Sequence, residues 1–194
     1  MIAELYRQAA ELDWELLPAT EKKLRYRRWA ADPAIGGRLR EYLGEQRIPT
    51  WIKDTPMKEY ARAQEGFGSM ARFAVRRFRP PDYLIETALG PEWRIRPGSV
   101  GEKPMHCFAC SAEEERYVCW GRPSTFRDLV WAALKAAVEM PTRPMIIVTL
   151  QEGIVLPPED QKTQSAIAEH CRMDLRYVGR QLYIPDDDVS EHLF

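Results

Sequence analysis

"FRDLVWAALKAAVEMPTRPMIIVTL", Phe126 to Leu150, decides the fold. Phe126, Leu129, Val130, Ala133, Leu134, Ala137 and Val138 recur three and four apart, which is one face of an amphipathic helix. Ser124 or Thr125 supplies its N-cap, and Pro141 stops it. "MIIVTL", 145 to 150, follows as a continuous apolar run of strand length, the pattern of a strand covered on both faces. "RYVCW", 116 to 120, precedes the helix and is β-prone. A strand, a crossover helix and a doubly buried strand make a parallel, right-handed step, so a mixed sheet with helices on at least one face is expected.

Working outward, "PEDQKTQSAIAEHCR" predicts a helix from Pro158 to Arg172, and "LRYVGRQLYI", 175 to 184, a last strand or bent strand pair. Upstream, "YLIETAL" (83 to 89) and "EWRIR" (92 to 96) read as neighbouring strands separated by Gly-Pro. Before Pro81 the chain reads helical. Ile2, Leu5, Tyr6, Ala9 and Leu12 share one helix face; Thr20 offers a cap for a second helix through Trp29; and Asp32-Pro33 opens a third with Ile35, Leu39, Tyr42 and Leu43 as its apolar stripe. Thr55-Pro56 can open a fourth, and Gly66 and Gly68 split it, leaving a helix from about Ser69 to Arg79 that two prolines end. The expected fold is α+β (mixed α/β), with N-terminal helices followed by a mixed sheet of about five strands with a strand-helix-strand crossover. Residues 1–50 form a helical lobe, 51–185 an α/β core and 186–194 an acidic tail.

The 194 residues include six Trp, eight Tyr and six Phe, with 45% hydrophobic and 29% charged residues, a globular rather than a disordered profile. No apolar run is long enough to span a bilayer, and the first residues carry acids where a secretion signal needs a basic start, so a cytoplasmic chain is expected. Four cysteines are too few for a disulfide scaffold. The net charge of −1 hides an asymmetry: residues 1–100 hold 18 Lys+Arg against 14 Asp+Glu, while residues 101–194 hold 10 against 15. The basic half leaves room for an anionic ligand.

Two basic runs point to nucleic acid. On a helix over 69 to 79, Arg72, Arg76 and Arg79 fall on one stripe, opposite Met70, Phe73, Ala74 and Phe78, where guanidinium groups can track phosphates. "KKLRYRRW", Lys22 to Trp29, adds Lys22, Lys23, Arg25, Arg27 and Arg28 with two aromatics between them. The function these imply is non-catalytic binding, as an accessory protein of a nucleic-acid-handling complex whose partner is nucleic acid or another protein. No membrane partner and no cofactor are expected.

From residue 69 the order helix, three strands, helix, strand, helix, strand resembles the core layout of the PD-(D/E)XK nuclease-like fold. The resemblance implies two carboxylates holding a divalent ion such as Mg²⁺ beside a lysine. Pro81-Asp82 supplies the literal "PD"; Glu114 and Arg116 approximate the second half, with arginine in the lysine's place. Arginine holds the charge and cannot shuttle the proton. Asp82, Glu114 and Arg116 are thus the alternative catalytic set.

"MHCFAC" contains Cys107 and Cys110 at zinc-knuckle spacing, with Cys119 and His170-Cys171 as possible completing ligands of a zinc-stabilised assembly protein. A tight turn lets the pair share an ion; on a strand, residues three apart emerge on opposite faces. The C-terminal "IPDDDVSEHLF" resembles the acidic, phenylalanine-ended tails of bacterial single-stranded-DNA-binding proteins, which implies docking into a basic pocket.

Overall fold

The computed structural model describes residues 1–151 and 155–183. The acidic tail lies outside these. The chain divides into two compact units, the first ending at Phe78 and the second beginning at Arg79, where the sequence placed the division near residue 50.

The first unit is helical: α1 (Ile2–Glu11), α2 (Ala19–Ala31), α3 (Ile48–Asp54) and α4 (Pro56–Ala63). Its core joins Leu5, Tyr6 and Ala9 of α1 to Trp14, Trp29 of α2, Ile48 and Ile52 of α3 and Tyr60 of α4. Each of the leucine and isoleucine side chains contributes about 1.5–3 kcal/mol on burial. Two of the aromatics carry a hydrogen bond at their polar end: the Tyr6 hydroxyl donates to the Pro56 carbonyl at 2.7 Å and the Trp29 indole N–H to Gln8 Oε1 at 2.8 Å.

Two helices expected here do not form. Residues 32–43 are turns with a short 3-10 segment, Gly37–Leu39. Ile35 and Leu39 are buried as expected, yet Tyr42, assigned to the same apolar stripe, is 80% exposed. Residues 69–79 hold only a 3-10 turn, Ala71–Phe73, followed by extended chain from Ala74. Gly66 and Gly68, at φ +86° and +82°, turn the backbone left-handed twice, and that segment gains no helix to restart from. The stripe of Arg72, Arg76 and Arg79 therefore does not exist. In its place, α3 forms over "IPTWIKD", opened by Pro49 in its first turn.

The second unit carries α5 (Asp82–Leu89), β1 (Arg94–Ile95), β2 (Met105–Cys110), β3 (Glu115–Gly121), α6 (Phe126–Glu139), β4 (Met145–Leu150), α7 (Pro158–His170) and β5 (Asp174–Gly179). The five strands form one mixed sheet in the order β1-β2-β3-β4-β5. β2 runs antiparallel to β1 and β3, while β3, β4 and β5 are parallel. The crossover read from Phe126 to Leu150 is present as β3-α6-β4.

The expected element order holds through two offsetting corrections. "YLIETAL" is helix α5, not a strand: Pro81 precedes it, Asp82 sits in its first turn where a helix N-terminus favours an acid, and Gly90 at φ +118° ends it. The missing strand is "MHCFAC", β2, whose Met105, Cys107 and Ala109 are buried while His106, Phe108 and Cys110 are partly so. One sheet face packs Tyr117, Cys119, Ile146 and Val148 against Phe126, Leu129 and Ala133 of α6 and Ala168 of α7. α5 contacts both edge strands, β1 and β5.

Candidate nucleic-acid interface

α2 begins at Ala19 after Pro18, so Thr20 lies inside its first turn rather than capping it. Trp29 is buried and packs on Trp14, ring centroids 4.9 Å apart, with Tyr26 edge-on to Trp14 at 5.2 Å. These rings fix which way the helix faces. Lys22 is drawn back with them: its ammonium lies 5.6 Å from the Trp14 ring centroid and donates to the Glu15 carbonyl at 3.3 Å. Arg25 is half-buried.

The remaining cations are left on the opposite side. At 100° per residue, Lys23, Arg27, Leu24 and Arg28 fall within one arc of about 140° together with Thr20 and Ala31. All six are exposed. Lys23, Arg27 and Arg28 form no ion pair or side-chain hydrogen bond among the described residues, and Leu24 is 54% exposed between them. This contrasts with Arg7, held by Glu4 and Glu11 at 2.6 and 2.5 Å, and with Arg77, held by Asp13 at 3.0 Å. The unit as a whole carries 15 Lys+Arg against 11 Asp+Glu.

The second cationic set is dispersed. The Arg72 guanidinium stacks over its neighbour Phe73 at 4.7 Å, and Arg76 Nε donates to the Phe78 carbonyl at 3.3 Å. Arg79 donates to Gln181 Oε1 at 2.9 Å and lies 5.8 Å from the Tyr83 ring centroid. These three arginines serve local structure.

The nuclease-like residues do not assemble. Asp82 is the exposed first residue of α5, not the start of a strand. Glu114 precedes β3 and accepts from Arg116 Nη2 at 3.1 Å; Arg116 Nη1 donates to Asp174 Oδ2 at 2.7 Å, and its guanidinium lies 5.7 Å from the Trp93 ring centroid. No contact joins Asp82 to Glu114 or Arg116 among the described residues. Arg116 thus stands in a partly buried ion pair that ties β3 to β5, a job that lysine, lacking the planar fork, performs less well.

The cysteines separate as strand geometry requires. Cys107 and Cys110 lie on opposite faces of β2, which removes the shared zinc site. Burial, with the nearby Asp82 charge adding to it, pushes the Cys107 thiol up to about 12; burial pushes Cys119 up to about 12 as well. Metal ligation needs the thiolate, so these two are core fillers. Cys110 instead donates to Glu115 Oε1 at 3.3 Å. Among the described residues, no group of three or more His, Cys, Asp or Glu side chains is arranged to hold a metal ion, and no helix is long and apolar enough to cross a membrane.

Neither protein-family models, curated proteins nor solved structures match this chain.

Sequence reading alone missed the orientation of α2. The signal was available in Trp14, Tyr26 and Trp29: aromatic rings at three-residue spacing on a helix mark its buried side, and the outward arc is then what remains.

Proposed function

We propose that this protein acts by binding, as an accessory component of a nucleic-acid-handling complex, and that the outward arc of α2 is its phosphate contact. The observation that carries this is the set Lys23, Arg27 and Arg28, exposed on one helix face without acidic partners. Unpaired surface cations stabilise the fold by little, whereas each one placed against a phosphate releases a condensed counterion.

The number of cations also sets the scale. Three phosphate contacts support only weak association at physiological salt, of the order of micromolar or weaker, typical of non-specific binding. Such a surface works best beside a partner protein that supplies the remaining affinity, by the effective-concentration argument for linked sites.

The test is fluorescence anisotropy with a labelled single strand and a labelled duplex at low and moderate salt. Wild-type protein is expected to bind at low salt and release as salt rises. The Lys23→Ala/Arg27→Ala/Arg28→Ala variant is expected to lose most of that affinity. Absence of wild-type binding to both probes at low salt sinks the proposal.

A further inference from the structure

The segment that follows α2 doubles back on its last turn. The Gly36 N–H donates to the Trp29 carbonyl at 3.0 Å, and a Cβ added to Gly36 would lie 2.0 Å from the Ala30 carbonyl oxygen, so the two backbones touch. Leu39 is buried three residues later and accepts from the Tyr42 and Leu43 amides at 3.0 and 2.8 Å. The backbone under Tyr42 is therefore held in a helical turn against the core, starting from the end of α2 that carries Arg27 and Arg28. Yet the Tyr42 side chain is 80% exposed and makes no ring contact or hydrogen bond among the described residues. Arg38, also exposed, has no acidic partner among the described residues; Arg40 is occupied by Glu45 at 3.2 Å.

An exposed aromatic ring with no packing partner among the described residues, on a segment tied to the last turn of a phosphate-tracking helix, is what a protein needs to grip unpaired bases. In a duplex the base faces are already stacked on their neighbours; in a single strand they are available to a side chain. Resting on the reading of α2 as a phosphate contact, we infer that the nucleic acid is single-stranded, with Tyr42 as a base-stacking platform beside the backbone track of Lys23, Arg27 and Arg28. Glu41, the exposed residue before Tyr42, offsets the charge of Arg38. Selectivity for the single strand thus comes from the ring.

That division of labour sets the experiment. Tyr42→Ala and Tyr42→Phe are compared with wild type and with the triple α2 variant on an oligothymidylate, a mixed-sequence single strand and a duplex, each at two salt concentrations, with circular dichroism confirming the fold. Tyr42→Ala is expected to weaken single-strand binding about fivefold or more, the loss of one stack, by the same factor at both salts. Its duplex affinity stays within about twofold of wild type. Tyr42→Phe keeps the π-face and retains single-strand affinity. The triple variant instead changes the salt dependence on every probe. Unchanged single-strand affinity in Tyr42→Ala, or an equal loss on single strand and duplex, overturns the inference while leaving the α2 reading in place. Wild-type binding to the duplex alone does the same. Failure of wild type to bind any probe overturns both.

Discussion

Arg116, on β3, reaches past the N-terminal end of the intervening strand β4 to Asp174, the first residue of β5, with Nη1 to Oδ2 at 2.7 Å. Glu114 accepts from the other fork nitrogen at 3.1 Å, and Trp93 lies under the guanidinium. The side chain is only 17% exposed, and its Nε is buried without a hydrogen-bond partner among the described residues, so the cation has been taken largely out of water. Arg116→Ala removes the nearer of Asp174's two cationic partners, leaving Arg143 at 3.8 Å, and opens space under Trp93, so it is expected to destabilise the protein by about 2 kcal/mol. Arg96→Ala, which removes a pair to Glu115 with 47% and 38% exposed partners and a contact on the Phe108 ring at 4.3 Å, is expected to cost about 1 kcal/mol. Urea midpoints of the two variants check the contrast; equal losses contradict it.

Two glycines separate close approach from backbone freedom. Gly36 has an ordinary helical conformation, φ −69° and ψ −32°, so its requirement is space: the Ala30 carbonyl occupies the position of a Cβ. Gly36→Ala forces the turn off α2 and is expected to cost at least about 2 kcal/mol. Gly44, at φ −60° and ψ 141°, has nothing within 4 Å of a Cβ. Gly44→Ala is therefore neutral or stabilising by about 0.4–1 kcal/mol through the unfolded chain. Thermal melts of both variants decide it.

What the sequence showed follows from which interactions are local. The β3-α6-β4 crossover was legible because its period and its stop at Pro141 lie within the segment itself. "YLIETAL" misled because Tyr, Ile and Thr favour strands, while the prolines before it and Gly90 after it, which define helix ends, decided the outcome. Tyr42 satisfied a helical apolar spacing, but the chain turns at Gly36 onto α2, a tertiary contact invisible to periodicity. For the interface, the five cations of "KKLRYRRW" were visible and their sorting was not. Lys22 turns inward because Trp14, eight residues earlier, offers its ring, and that is a contact between elements.

The four cysteines are expected to label in order of access. Cys171 is partly exposed at the end of α7; Cys110 is also partly exposed but is raised in pKa by burial and by its bond to Glu115. Cys107 and Cys119 are fully buried and protonated well above neutrality. Iodoacetamide at about pH 8, followed by peptide mapping, is expected to modify Cys171 first, Cys110 more slowly, and Cys107 and Cys119 only once denaturant is added. Early modification of Cys107 contradicts its placement on the buried side of β2.

Those same thiols give alkaline pH a defined sign. Cys107 and Cys119 move from an ordinary 9.0 to about 12 on folding, and burial carries Tyr60 from 10.0 to about 12. Above pH 9 the unfolded chain releases protons that the folded chain retains, so the contribution of these groups to stability is full below about pH 8 and falls progressively towards pH 12. Cys107→Ala/Cys119→Ala is expected to flatten the decline over its first unit, between about pH 9 and 10, leaving the tyrosine component above it. Urea midpoints measured from about pH 8 to 11 show whether the early part of the slope belongs to the cysteines.

The salt dependence of nucleic-acid binding counts the cations on α2. For a duplex, the slope of log K against log salt is about −0.9 per phosphate neutralised, and for a single strand about −0.7. If Lys23, Arg27 and Arg28 each meet a phosphate, their joint replacement by alanine reduces the magnitude of the slope by about 2.7 on duplex and about 2.1 on single strand. Lys22→Ala serves as the internal control: its ammonium is already committed to Trp14 and the Glu15 carbonyl, so the slope is expected to stay within about 0.3 of wild type. A change of about one unit in Lys22→Ala, with none in the triple variant, would place the phosphate contact on the other side of the helix.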